Sequence, residues 1–172
     1  MPSPIPPRDA PHRHAGDGWV ECGDHRHWGL HGAAGLFLVR RETAVDGVRR
    51  VTDVVLQHRA VWSHEGGTWG IPGGAVAPDE SAEAGALREA GEEAGVDPAA
   101  VRVLGEHLLD HGPWSYTTVV AEVAPGARVD PAATDAESIA VRWVPVDEVP
   151  ALPLHPAFAA AVADLLAVAS TA

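Results

Sequence analysis

The sequence predicts an α/β sandwich of three layers, with helices packed on a sheet of mixed strands. Three observations predict it. Short apolar runs rich in Val and Leu read as strands, and two longer segments read as helices. The length, 172 residues, fits one ordinary domain, and 46% of the residues are hydrophobic, enough for a packed core. The 18 glycines and 15 prolines supply many turns without a collagen-like period, and no internal repeat is visible.

Along the chain, residues 1–17 contain five prolines and are read as a flexible tail, dispensable for folding, which leaves 18–172 as a single domain. Trp19 and Trp28 anchor the extension that follows. Ala33 to Arg40 (AAGLFLVR) is a strand, Glu42 to Val48 with its Asp46-Gly47 pair is a turn, and Val51 to Arg59 completes a hairpin. Val61 to Gly74 is a loop. Asp79 to Ala94 is helical, capped by Asp79 or Ser81 and ended by Gly95 in a left-handed conformation. Val101 to Leu109, Ser115 to Val123 and Ile139 to Val144 are strands. His155 to Ala169 is a second helix, with Pro156 in its first turn. Its Phe158, Val162, Leu165, Leu166 and Ala169 recur at helical spacing and should face the sheet.

Charge narrows the function. The net charge is −12, from 12 basic and 24 acidic residues, which repels nucleic-acid phosphates and anionic lipid. A general nucleic-acid or membrane role is therefore disfavoured. A small phosphorylated ligand is not, because a divalent metal inverts the local sign. The single cysteine, Cys22, excludes an internal disulfide. No signal-peptide pattern or transmembrane run is present, and the expected location is cytoplasmic. Oligomeric state is not legible.

The first helix carries the chemistry. Ala84, Leu87, Gly91 and Ala94 form a stripe expected to face the sheet. Glu89, Glu92 and Glu93 fall at i, i+3 and i+4 and share another face. Like charges at that spacing repel, so either the face is simply solvated or a cation compensates. Arg88 is one such cation, and a hard divalent ion that favours oxygen ligands is the better one. Gly85 and Gly91 each weaken the helix by about 1 kcal/mol relative to Ala. Both therefore need a packing reason.

The segment runs Gly74, five residues, Glu80, seven residues, then Arg88-Glu89-Ala90-Gly91-Glu92-Glu93-Ala94-Gly95-Val96. This 23-residue pattern resembles the full signature of the Nudix hydrolase family, and Trp69-Gly70-Ile71-Pro72-Gly73-Gly74 is similar to the loop leading into it. Ala90 departs mildly, where the family carries a bulkier aliphatic residue. The resemblance implies a mixed curved sheet between helices. It also implies hydrolysis of a nucleoside diphosphate linked to another group, with Mg²⁺ or Mn²⁺. Glu89, Glu92 and Glu93 become metal ligands by that resemblance, with the Gly73 or Gly74 carbonyl. Glu80 and Arg88 would hold helix and loop in register. MutT-like members add a glutamate from a loop before a late Trp strand, and Glu137, six residues before Trp143, matches that placement as ligand or general base.

Other candidates are less specific. Trp69, Trp114, Tyr116 and Phe37 offer aromatic faces to a base, or are simply packing residues. Arg59 is a phosphate or ribose candidate, and His155, ahead of the last helix, a base-reading one. Cys22, His25, His27 and His31 lie close together, but Cys-x2-His-x-His-x3-His matches no common zinc module, and they are read as ordinary strand or loop residues. The leading expectation is a MutT-like pyrophosphohydrolase acting on a nucleoside triphosphate or related nucleotide. The alternatives are an ADP-ribose or nucleotide-sugar pyrophosphatase and a non-catalytic nucleotide sensor. Pro113 and Tyr116 lie loosely where ADP-ribose and dinucleoside-polyphosphate members carry such residues.

Overall fold

The computed structural model describes residues 14–171. A hairpin comes first, β1 (Trp19–Cys22) against β2 (His25–Trp28). A seven-stranded sheet follows: β3 (Ala33–Thr43), β4 (Arg49–Arg59), β5 (Trp69–Gly70), β6 (Gly73–Ala75), β7 (Val101–Asp110), β8 (Ser115–Val123) and β9 (Ser138–Pro145). Its order is β5-β4-β3-β8-β7, with β6 on β3 and β9 on β4. The sheet is mixed: β3 and β8 run parallel, and the other pairs are antiparallel. The two helices are α1 (Ala82–Ala94) and α2 (Pro156–Thr171).

The hairpin predicted between β3 and β4 exists, but only along part of its length. Val39 to Thr43 pair with Arg49 to Val54. Beyond that, the edge of β3 is taken by β6 and that of β4 by β5, so Trp69 to Ala75 fills the gap between them. The predicted loop thus contains two short strands, and the Pro72 carbonyl between them accepts the Leu36 N–H at 3.0 Å.

Apolar alternation builds a core on each face. Ala34, Leu36, Leu38, Val119 and Ala121 point to the α1 side, while Phe37, Val39, Val54, Leu56 and Val120 point to the α2 side. Phe158, Leu165 and Ala169 of α2 are buried there, and Val162 and Leu166 pack alongside, as their spacing predicts. The stripe expected on α1 is rotated. Ala84 is exposed, and the buried positions are Gly85, Ala86, Ala90, Glu93 and Ala94. Small side chains at Ala86, Ala90 and Ala94 let the helix lie close to the sheet and turn its carboxylates toward β6. Ala90 is fully buried, so a bulkier residue there would hold the helix away.

The boundary expected at residue 17 is also corrected. Residues 1–13 lie outside the described region, but His14 to Asp17 form a packed turn. The Asp17 carboxylate accepts the His14 N–H at 3.1 Å, and His14 Nε2 lies 3.2 Å from the Ala75 carbonyl. A Cβ on Gly16 would fall 2.2 Å from the Val76 carbonyl. Deleting residues 1–17 is therefore expected to lower the melting temperature by about 2–4 °C, as loss of about 1 kcal/mol does in a domain of this size. An unchanged thermal melt would refute the packing argument.

Candidate active site

Ser81 caps α1, accepting the Ala84 N–H at 3.1 Å, and Gly95 ends the helix at φ 68°. Between these caps the helix presents its acidic face to β6. Glu93 is 4% exposed, and its Oε2 accepts the Gly73 N–H at 2.9 Å. A Cβ on Gly74 would lie 2.7 Å from the Glu89 carboxylate, and one on Gly73 would lie 2.6 Å from the Ala34 carbonyl and 2.7 Å from the Tyr116 hydroxyl. Glycine at both positions is what lets loop, helix and sheet meet. Gly85 has a packing reason too, since its missing Cβ would lie 3.2 Å from Glu80 Oε2. Gly91 would meet only the Val96 carbonyl at 3.4 Å, so close packing does not account for it.

Arg88 organises the cluster. Its guanidinium donates to Glu80 at 2.8 and 3.0 Å, to Glu89 at 2.7 Å, to Glu92 at 3.2 Å and to the Ala75 carbonyl at 3.0 Å. Glu80 in turn accepts the Ala77 N–H at 2.8 Å, which fixes the turn before the helix. His14 completes the shell, with Nε2 3.4 Å from the guanidinium. Nothing in the sequence of that tail signalled its contribution.

Burial and mutual repulsion both act on the acids of the cluster. Burial pushes the Glu89 carboxyl up to about 7; Arg88 opposes this, and the charges of Glu92 and Glu137 add to it. Burial also drives Glu93 well above the usual carboxylate range, reinforced by Glu89 and Glu137 and opposed by the Gly73 N–H and Arg59. Glu137, whose backbone carbonyl accepts the Ala60 N–H at 2.8 Å, thus acts on both helix carboxylates although it lies 44 residues beyond Glu93 in sequence. All these donors are oxygens, the set that suits Mg²⁺ or Mn²⁺.

In protein free of divalent cation, these acids give stability an inverted pH dependence. Their folded pKa values lie above the unfolded ones, so above about pH 4.5 the folded chain holds the extra protons. Stability falls as pH rises through 7. Burial pushes His155 down to about 4, which costs stability only below about pH 6.5. Cation-free protein should thus lose on the order of 1–3 kcal/mol between about pH 6.5 and 8, and added Mg²⁺ should restore it. Urea denaturation at the two pH values checks this, and a flat profile without Mg²⁺ would contradict it.

The remaining sequence candidates divide. The Arg59 charge reaches Glu93, Tyr116 and His155, while its Nε donates to the His64 carbonyl at 3.0 Å. Tyr116 is half-buried with its hydroxyl against Gly35 and Gly73, and burial holds that hydroxyl above the usual phenol range. His155 lies at the start of α2, its N–H on the Trp69 carbonyl at 2.8 Å. Trp69 is a correction. Only 8% exposed, it packs in the α2-side core with His58 stacked on it at 4.6 Å and Arg142 over it at 5.0 Å. It positions β5 and has little face left for a base. Phe37 is wholly buried, and Trp114 is buried with Nε1–H on the Trp28 carbonyl at 3.1 Å.

The fold and this cluster define an α/β sandwich whose first helix sets Glu89 and Glu93 against a glycine loop, with Glu92 joined to Glu89 through Arg88. The chain belongs to the Nudix hydrolase family: the NUDIX domain model matches residues 30–166. It is 54% identical over 147 residues to a nucleoside triphosphate pyrophosphatase/Nudix hydrolase fusion protein of Bifidobacterium longum, covering 85% of this chain but only 30% of that protein. It is 44% identical over 167 residues to "Putative 8-oxo-dGTP diphosphatase 3" of Mycobacterium tuberculosis, covering 93% of this chain and 73% of the relative. Among solved structures it resembles the Nudix hydrolase RenU of M. smegmatis, with a TM-score of 0.70 and 42% identity over 91% of this chain and 96% of that one. No described helix is long and apolar enough to cross a membrane.

Proposed function

We propose that the chain is a MutT-like pyrophosphohydrolase that cleaves a nucleoside triphosphate to the monophosphate and pyrophosphate. The observation that carries this reading is the buried Glu93 with the part-buried Glu89 beside it, both feeling the charge of Glu137. The relatives named as a nucleoside triphosphate pyrophosphatase fusion and an 8-oxo-dGTP diphosphatase support the substrate class.

Glu89, Glu92 and Glu93, with the Gly73 or Gly74 carbonyl, would hold Mg²⁺ or Mn²⁺. Such an ion neutralises polyphosphate charge and lowers the pKa of attacking water. Arg88 and Glu80 act through the carboxylates, fixing the angle of the helix against its loop. Glu137, whose charge bears on Glu89 and Glu93, would serve as a further ligand or as the base that takes the water proton. Glu89 shares candidacy for the base, since it lies in the same acidic cluster against the Gly74 backbone. Arg59 would meet a phosphate oxygen. Glu137→Gln is expected to lower kcat at least tenfold with little change in melting temperature, as loss of one base or ligand does. An unchanged kcat, read across pH, would remove Glu137 from the site.

A substrate panel tests the proposal. Guanine, oxidised guanine and other nucleoside triphosphates, ADP-ribose and a nucleotide sugar are each supplied with Mg²⁺ or Mn²⁺. Pyrophosphate released from a triphosphate is the expected result. Turnover of ADP-ribose alone would overturn it in favour of the nucleotide-sugar class, and binding without turnover would favour a sensor.

A further inference from the structure

A second cluster stands away from the acidic helix. The β1–β2 register pairs Cys22 with His25, and His27 lies two residues on, so the alternation of a strand puts all three on one face of the hairpin. Arg26 takes the opposite face and lies over Trp19 at 4.4 Å. Against the first face comes His111, from the turn between β7 and β8. The ligating atoms of Cys22, His25, His27 and His111 all lie within 4.8 Å of one another. His31, close to these residues in sequence, is not in the group. It lines a separate depression with Leu30, Gly32 and Trp114.

The details are those of ligands turned inward. His25 Nε2 and His27 Nε2 face each other at 3.1 Å. The other nitrogen of His25, Nδ1, lies 2.9 Å from Asp24 Oδ1. An ionised carboxylate only accepts, so Nδ1 donates to it, and Nε2 is the nitrogen turned into the cluster. A carboxylate behind a histidine in this way is the usual support of a metal-bound imidazole. His27 stacks on Trp114 at 4.0 Å and 8°, which fixes its ring, and its centroid lies 4.6 Å from that of His111. Zinc bonds of about 2.0–2.3 Å set donor separations of about 3.3–3.8 Å in a tetrahedron. The group needs to contract by only about an ångström, through side-chain rotation at two surface turns.

We propose that Cys22, His25, His27 and His111 bind one zinc ion, which staples the β1–β2 hairpin to the β7–β8 turn. One thiolate and three imidazoles complete a closed tetrahedral set, which is the mark of a structural rather than a catalytic zinc. Sulfur and nitrogen donors select against Mg²⁺, so the two sites sort their ions by chemistry. On binding, the Cys22 thiol loses its proton to solvent and a Zn–S bond forms; no redox change is involved.

The full chain is purified without chelator, passed over gel filtration in excess Mg²⁺, and assayed for zinc by mass spectrometry. The expected result is one zinc per chain. Replacement by Co²⁺ should give tetrahedral visible bands and a thiolate-to-cobalt charge-transfer band, which the all-oxygen glutamate cluster cannot produce. Cys22→Ser should abolish that band, and His111→Gln should weaken zinc binding at least tenfold. His31→Gln should leave both intact. Circular dichroism confirms that each variant is folded, and His111→Gln, on an exposed turn, keeps the test open should Cys22→Ser unfold. Absence of zinc and of a charge-transfer band in the unaltered chain would overturn the proposal. Full zinc retention by folded Cys22→Ser and His111→Gln would overturn it equally.

Discussion

Glu93→Gln is expected to lower turnover by at least about two orders of magnitude while leaving the fold intact, because a buried metal carboxylate cannot be replaced by a neutral amide. The substitution keeps shape. The amide oxygen of the new side chain can still accept the Gly73 N–H that Glu93 now holds at 2.9 Å. It also removes a charge that burial, Glu89 and Glu137 all disfavour. Stability without added cation should therefore rise at pH 8, by on the order of 1 kcal/mol, while kcat collapses. That opposed pair of effects separates loss of chemistry from loss of structure. Steady-state kinetics with Mg²⁺ and urea denaturation without it give the two readings, and near-normal turnover would show that Glu93 is not in the metal site.

Arg88→Ala should do the reverse and damage fold and rate together. The side chain is about three-quarters buried and links Glu80, Glu89, Glu92 and the Ala75 carbonyl. Its removal leaves Glu80, Glu89 and Glu92 in a poorly hydrated place without their shared guanidinium, the situation that costs about 3–5 kcal/mol when a buried pair is broken. A loss of about 2–4 kcal/mol is expected here, because water still reaches part of the cluster. Arg88→Lys restores charge without the planar fork. It should recover part of the stability but little of kcat, since one ammonium cannot hold Glu80 and Glu89 at their present angles. Melting and kcat that both match the unaltered chain would refute the positioning role.

Local rules made part of this molecule legible. The strand Ser115–Val123 and both caps of α1, Ser81 and Gly95, follow from residue types that act on their immediate neighbours. The grouping of Glu89, Glu92 and Glu93 follows from helical period alone. What stayed hidden is set by distant partners. Strands as short as β5 and β6 have no pattern of their own and exist because β3 and β4 part. The rotation of α1 that exposes Ala84 is decided by how closely alanines approach the sheet. Aromatic type does not reveal burial, so it does not tell base contact from packing at Trp69, Trp114 and Phe37, whose rings are covered. His111 lies 84 residues beyond His27 and shares no local motif with it.

The matched family pattern starts at residue 30, yet the assembly that holds Arg88 starts earlier. Gly29 and Leu30 donate backbone N–H groups to the Gly18 and Gly16 carbonyls, and Gly16 rides on Val76 in the loop that leads to α1. His14 then touches the guanidinium itself. Cutting the chain where the shared pattern begins would sever a brace, not a spacer. The same connection gives the protein a remote handle on rate: a substitution at His14, Gly16 or Asp17 can tilt the helix and change turnover without altering a single carboxylate.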